Sequence, residues 1–548
     1  MTKSDRTNSF VYQAAILAAS GILVRLIGFF YKLPLTDLIG DDGNAVYGVA
    51  FNVYNFFLLM SGAGLPVAIS RLVSEKRAVG RYDLAHRIFK VAFALAAGLG
   101  ALSMVVIFAF ARPIAAGMNM PEAYLGMMTL APTVFIVSMM AVVRGYFQGM
   151  QDTTPTAVSQ LIEQVFNAVF SVMMAHLLWN YALANAYDER LTFGAAGGTS
   201  GTGVGALAGF VFIAVLYNFR RVRILRRVRS ARSKFREDVQ PEDSGMFVIK
   251  RILLTAFPII AGTAVFSVVN LIDVWLVMDG LAAAGLEHND ARTLFGQIQG
   301  KFNPITNIPA AVSSSLAIAV LPSITASYKL KQRREVLQKI TTAFRTAVIL
   351  TAPMALGLGI LGPQIVSMLF PNHPDGGTLF IAGFASIIFL ATTQIATGAL
   401  QAVGKIYVPV IAAVCGAVVK IIVNLTLIPI PSINIYGAII GTTACYLVTT
   451  IINCGVLSRT MKTRIRYARM MFKPVCASFI MALGCFCFYH IIHFAIPNNA
   501  LAVIFAIIGG AGLYFVVMLL IGGVGESEIS MLPWGGRISA TLKRRGML

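Results

Sequence analysis

The sequence predicts an all-α polytopic membrane protein with fourteen transmembrane helices: two pseudo-symmetric six-helix lobes followed by two further helices. Three observations predict it. Of 548 residues, 57% are hydrophobic and 12% charged, with a mean hydropathy of +0.77, whereas soluble domains carry about 25% charged residues. Apolar runs of about 20 residues, enough to cross a ~30 Å hydrocarbon layer, recur along the whole chain. The segments between them alternate between strongly basic and nearly free of basic residues.

The spans are expected at roughly 10–35, 44–70, 88–111, 123–149, 155–180, 194–219, 250–278, 295–327, 340–362, 378–402, 405–429, 435–458, 474–496 and 500–523. The first apolar stretch runs from about Phe10 to Leu35, too long for the core of a cleavable leader, so it is expected to stay as a span. Every second connection is basic. The N-terminus, 71–90, 220–251, 329–345, Lys405, 459–473 and the tail from Gly525 together hold 36 of the 44 Lys and Arg. The opposite connections hold three, Arg112, Arg190 and Arg292, beside acidic groups such as Asp41-Asp42 and Asp188-Glu189. The positive-inside rule then places both termini in the cytoplasm. Four regions follow: an N-lobe over 1–219, a basic linker over 220–249, a C-lobe over 250–458, and 459–548 with spans 13, 14 and a tail.

Residues 220–238, RRVRILRRVRSARSKFRED, interleave apolar side chains with arginines. They read equally as an interfacial helix against anionic membrane lipids or as a solvated linker that only sets topology. The net charge of +21 therefore serves topology and lipid contact, and nucleic acid is not expected as a partner. The six cysteines fall in or beside apolar runs of the second half and read as packing residues, with no disulfide framework or metal site. The six histidines are scattered and form no ligand pair.

The halves repeat weakly and in order. Arg25 precedes Tyr47-Gly48 by 22 residues, and Asp273 precedes Phe295-Gly296 by the same interval. GYFQGMQDTTP (145–155) parallels GALQAVGKIYVP (398–409), and GALAG (205–209) parallels GAIIG (437–441). Six spans per repeat is an even number, so the repeats are parallel, as in alternating-access transporters. The Gly-x-x-x-Gly pairs read as helix-packing surfaces ahead of ligand sites.

Charges inside spans carry the functional signal. A cation at mid-bilayer costs about 2.5–3.5 kcal/mol on insertion scales, so it must face a wet cavity, a partner or an anionic cargo. The candidates are Arg25, Lys32, Arg144, Glu163, Asp273, Lys301 and Lys420. Lys32 reads equally as a cavity residue or as a side chain that snorkels to the outer interface. Arg144 reads as an anchor at the inner end of span 4. Asp273 and Lys420 are expected to neutralise one another, with Asn424 on the same helical face as Lys420. Glu163 is a possible partner of Arg25.

The runs VRLIGFFYKLPLTDLIGDDGNAVYG (24–48), SGAGLPVAISRLVSEK (61–76) and KFNPITNIPAAVSSSLAIAVLPSIT (301–325) resemble the polysaccharide-export branch of the MOP flippase superfamily, in particular its MurJ-like and SpoVB-like lipid II flippases of Gram-positive type. The resemblance covers the whole chain, including spans 13 and 14, and implies a MATE/MOP-like fold. It implies a cationic cavity between the lobes, with Arg25 and Lys301 at the family's basic positions and Lys32 one residue from another. Asn55 and Asn303 are counted with them as substrate-binding candidates. Span 2 departs from the family pattern, since NVYNFFLLMSGAG (52–64) is uncharged. Some family members bind sodium in the C-lobe; here the Asp273–Lys420 pair is expected to replace that site, and no cofactor is expected.

The implied function is flipping of an undecaprenyl-pyrophosphate-linked saccharide, foremost lipid II, from the inner to the outer leaflet of a bacterial plasma membrane by a monomer. An anionic headgroup moving outward gains about 2.3 kcal/mol per charge per 100 mV of inside-negative potential, so the membrane potential is the expected driving force. No Walker-type loop is present for nucleotide hydrolysis. The alternatives are another lipid-linked repeat unit, or a MATE-type drug or cation antiporter, which needs acidic cavity residues. A polytopic enzyme needs carboxylates gathered at one membrane face; the outer acidic residues here are dispersed.

Overall fold

The computed structural model describes residues 3–185, 189–234, 245–463 and 465–523. The expected linker residues 235–244, Asp188 and the tail from 524 lie outside the described residues. Every described regular element is helical: α1 (Lys3–Leu58), α2 (Leu65–Ala78), α3 (Tyr82–Gly117), α4 (Tyr124–Gly149), α5 (Thr154–Ala184), α6 (Arg190–Lys234), α7 (Gly245–Ala283), α8 (His288–Gln297), α9 (Asn303–Lys329), α10 (Arg333–Leu369), α11 (Leu379–Ala402), α12 (Tyr407–Leu427), α13 (Tyr436–Thr460), α14 (Tyr467–Ala495) and α15 (Asn499–Leu520). Among them, eleven are long and apolar enough to cross a membrane by length and composition. The chain is a multi-pass membrane protein.

Two expected boundaries fall differently. Spans 1 and 2 run together in α1, which bends only at Gly40 (φ 68°, ψ −174°). That backbone region is essentially reserved for glycine. The buried Asn44 holds the bend, donating from Nδ2 to Gly40 O at 2.7 Å. The basic segment 220–234 is the direct continuation of α6 and not a separate helix. Span 2 is interrupted instead by a π-helical turn, Leu59–Ala63, before Pro66 near the start of α2.

The chain divides into two compact units. The first comprises residues 1–279 and 287–300, the second 280–286 and 301–548. By packing, most of α7 and all of α8 thus belong with the first unit, beyond the lobe boundary at 250 expected from the repeat. At one end, Arg251 of α7 pairs with Glu75 of α2 (3.0 Å), and Val248 and Ile252 join a core of Leu65, Ile69, Phe89 and Tyr146. At the other end, Asn119 donates to Asp279. The short α8 is clasped to the bend of α1: Arg292, only 9% exposed, reaches Glu122 (2.9 Å) and Asp42 (3.5 Å), and Thr293 donates to Asp42 (2.6 Å). Gly296 sits where a Cβ would meet Asp41 O at 1.8 Å.

Within the first unit, α5 and α6 meet along a glycine ridge. Lipid tails are as apolar as helix faces, so association of membrane helices rests on close packing and hydrogen bonds. A Cβ added at Gly197 would meet Met174 O at 2.4 Å, at Gly201 it would meet Ser171 N at 2.2 Å, and at Gly205 it would meet Glu163 O at 2.4 Å. One residue in four is small because the two backbones touch there.

The second unit repeats the device between α12 and α13. Added Cβ atoms at Gly416, Gly437 and Gly441 would meet Thr449 Oγ1 at 2.5 Å, Ile428 N at 2.9 Å and Asn424 Oδ1 at 2.1 Å. The paired motifs GALAG and GAIIG are therefore packing surfaces in both units. Outside the repeat, α14 and α15 pack on α10. Tyr514 donates to Ile349 O at 2.8 Å, Asn499 to Gln364 O at 3.1 Å, and Cys485 lies against Gly510.

Four substitutions have expected outcomes. Gly201→Ala should lower stability by about 1–3 kcal/mol through overpacking, seen as a fall in Tm of the detergent-purified protein. Gly98→Ala, where a Cβ meets nothing within 4 Å, should leave Tm unchanged or raise it, since alanine is favoured over glycine in helices by about 0.8–1 kcal/mol. Arg292→Ala strips a partly buried cation from two carboxylates and should cost roughly 2 kcal/mol by the same assay, with Asp42→Asn costing less because Asp42 is more exposed.

Candidate functional site

The charged interior of the first unit starts on α1. Lys32 and Tyr47 lie on either side of the Gly40 bend, which brings them together: the Lys32 ammonium sits 3.6 Å from the centre of the Tyr47 ring. Lys32 is 6% exposed, and its Nζ has no hydrogen-bond acceptor among the described residues. A cation over an aromatic face gains about 2 kcal/mol when desolvated, less than three lost hydrogen bonds to water. The snorkelled alternative for Lys32 is thereby corrected: the side chain turns into the unit because Tyr47 offers it a face there.

A polar seam leads on from Tyr47. Its hydroxyl lies 3.3 Å from that of Tyr31; Tyr31 also faces Asn167, and Tyr47 faces Thr202. Asn167 Oδ1 accepts from Ser171 Oγ (2.9 Å) and Thr202 Oγ1 (3.3 Å). One turn back on α5, Glu163 accepts from Arg144 Nη2 at 2.7 Å, while Arg144 Nε donates to Ser159 Oγ at 2.9 Å. Tyr54 lies close enough to feel both charges.

The seam has a simple origin. Ser159, Glu163, Asn167 and Ser171 recur every four residues and so form one stripe on α5. That stripe faces the glycine ridge of α6. Absent side chains on α6 leave room for polar ones on α5, and the close approach lets them find partners inside the unit. Sequence reasoning singled out Glu163 and missed Tyr31, Tyr47, Asn167, Ser171 and Thr202. The i, i+4 spacing of polar residues within an apolar run was the available signal.

Other expected residues are placed as follows. Arg25 lies on an exposed stretch of α1, and Asn55 is exposed on the same helix. Glu163 carries Arg144, so the Arg144 expected as a topology anchor is instead half of an ion pair with side-chain exposures of 12% and 25%. The pair adds no net charge, and Glu163 takes its cation from α4 because Arg144 projects onto the same stripe as Ser159. Asp273 is half-buried on α7.

In the second unit, Lys301 stands at a π-helical turn, Ile298–Phe302, just before α9. It is fully buried, and its ammonium donates to His373 O (2.8 Å) and Asp375 O (2.9 Å). The expected role of Lys301 as a cargo ligand is therefore not what its surroundings show: backbone carbonyls supply the hydration it lost, and the ammonium pins the connection between α10 and α11. Neighbouring Phe302 packs on Phe380 (centroids 5.1 Å apart), and Asn303 is half-buried. Lys420 and Asn424 are buried on α12. They follow the same i, i+4 step as Glu163 and Asn167 and lie beside Gly441 as those lie beside Gly205.

Comparison with known proteins matches this architecture. A model of the polysaccharide biosynthesis protein family matches residues 10–328. The stage V sporulation protein B of Bacillus subtilis is 23% identical over 536 residues, covering 97% of this chain and 99% of its own length. The lipid II flippase MurJ of the same organism is 21% identical over 457 residues, 81% of each chain. Among solved structures, the lipid II flippase MurJ in an inward closed conformation superposes with a TM-score of 0.64 at 12% identity, covering 92% of this chain and 98% of that one. An inward-facing multidrug MATE transporter of the MOP superfamily does so at 0.63 and 15% identity, over 82% and 98%. The two structural likenesses show the fold, a long-helix architecture shared by both kinds of transporter. The family model spans more than half of the chain, and with the relatives of nearly equal length it establishes that this protein is a member of the polysaccharide biosynthesis protein family.

Proposed function

We propose that this chain is a flippase for an undecaprenyl-pyrophosphate-linked saccharide, with lipid II as the cargo, in the plasma membrane of a bacterium. It is a transporter and not an enzyme, in keeping with relatives that are flippases. The observation that carries the reading is Lys32: an ammonium enclosed within a membrane helix, with an aromatic face and no hydrogen-bond acceptor among the described residues. Such a group is costly inside a membrane, and an anion that meets it during the cycle offsets that cost. A diphosphate is a dense anion that a lysine engages as a point charge.

The charge of the seam also argues against a cation antiporter. Such a protein needs a carboxylate available to its cargo or to protons, and the one carboxylate of the seam, Glu163, is already engaged by Arg144. The lipid II assignment is supported by the likeness to the lipid II flippase MurJ, matched over 81% of each chain; another lipid-linked repeat unit shares the same chemistry. Exposed Arg25 supplies a second cation on the same helix and suits early capture of the headgroup.

Two experiments test the reading. In proteoliposomes carrying a fluorescent diphosphate-linked saccharide lipid, Lys32→Met should lower the flipping rate at least tenfold, with Lys32→Arg keeping an intermediate rate. Flipping by Lys32→Met at the full rate, in a protein of unchanged Tm, would overturn the role of Lys32. For the cargo, depletion in a host lacking redundant flippases should reduce lipid II exposed on the outer leaflet; undiminished exposure would move the assignment to another lipid-linked saccharide.

A further inference from the structure

Apart from the polar seam, the first unit carries a cation-lined cavity at the basic end of α6. Arg220, Arg223, Ile224 and Arg227 of α6 enclose it with Tyr146, Phe147 and Met150 at the end of α4 and Asp152 of the following turn. Its volume is about 330 Å3. Arg220 is ion-paired to Asp152 and lies 5.7 Å from the Phe147 ring centre; Arg227 lies 6.0 Å from that of Tyr82. Three guanidinium groups against one carboxylate leave a surplus of positive charge over an aromatic floor.

The surroundings say what kind of anion fits. The face of α6 that leads to this end exposes Val211, Val215, Phe219 and Val222, with Phe219 82% exposed. These recur at three- and four-residue steps and form one apolar strip. The strip runs into the arginine cluster within a single turn. A free phosphate would use only the arginines, whereas a phospholipid uses both features: phosphate on the guanidinium forks and acyl chain along the strip. The geometry points to a binding site for the phosphate of an anionic phospholipid here, built from Arg223 and Arg227, with Arg220 held partly in reserve by Asp152. Positive-inside topology puts it in the cytoplasmic leaflet. The site is separate from Lys32 and stands or falls independently of the cargo.

The test uses full-length protein, delipidated in detergent and offered dioleoyl phosphatidylglycerol or the matching phosphatidylcholine, with retained lipid counted by native mass spectrometry. Wild type should retain phosphatidylglycerol above the phosphatidylcholine background. Arg223→Ala/Arg227→Ala should cut that retention about tenfold, while the control Arg333→Ala/Arg334→Ala, which removes the same charge from another basic turn, should not. Asp152→Asn releases Arg220 and should raise retention several-fold, a gain that misfolding cannot imitate. Equal retention in the double variant and its control, or a loss in Asp152→Asn, overturns the site. Full displacement of the lipid by 10 mM inorganic phosphate reassigns it to a free anion and overturns the lipid.

Discussion

The polar interior of the first unit depends on the contact of α5 with α6. Glycines at 197, 201 and 205 bring the two backbones to distances at which no Cβ fits. Because water is absent from the surrounding hydrocarbon, a polar residue in a span is tolerable only if its partners are within the protein. The close approach provides them: Ser159, Glu163, Asn167 and Ser171 are enclosed against α6 and are answered by Arg144, Thr202 and one another. The seam, the caged Lys32 and the Tyr31–Tyr47 pair all rest on that approach. The α12–α13 contact applies the same rule to Lys420 and Asn424, so the two units share a packing solution with different charges.

Much of the fold was legible because it is dictated by solvent. Apolar runs of span length and basic alternation leave few architectures, and the motifs GALAG and GAIIG read correctly as packing surfaces from spacing alone. The fusion of spans 1 and 2 was hidden, since one glycine torsion carries the whole bend and polar residues 41–44 look like a loop. The continuation of α6 through its arginines was hidden for a related reason: charge density marks where a helix leaves the membrane, not where it ends.

The site was legible in part. Lys32 and Glu163 stand out as charges in apolar runs. Their partners do not, because Arg144 lies 19 residues from Glu163 and Tyr47 is recognised only once the Gly40 bend is known. Lys301 shows the limit most plainly. Its acceptors are main-chain carbonyls more than seventy residues away, and a carbonyl leaves no trace in a sequence. A buried lysine that hydrates itself on backbone and one that rests on an aromatic face are identical letters.

The unbroken course of α6 has a mechanical meaning. At about 1.5 Å per residue, its 45 residues make a rod of roughly 68 Å, about twice the hydrocarbon thickness. The arginines occupy the overhanging third. A rod converts a small tilt at one end into a large sweep at the other: about 10° of rotation moves a tip 20 Å from the pivot by about 3.5 Å. Span 6 is therefore geared to its own basic end, and whatever grips those arginines also has leverage on the helix whose glycines hold the polar stripe in place.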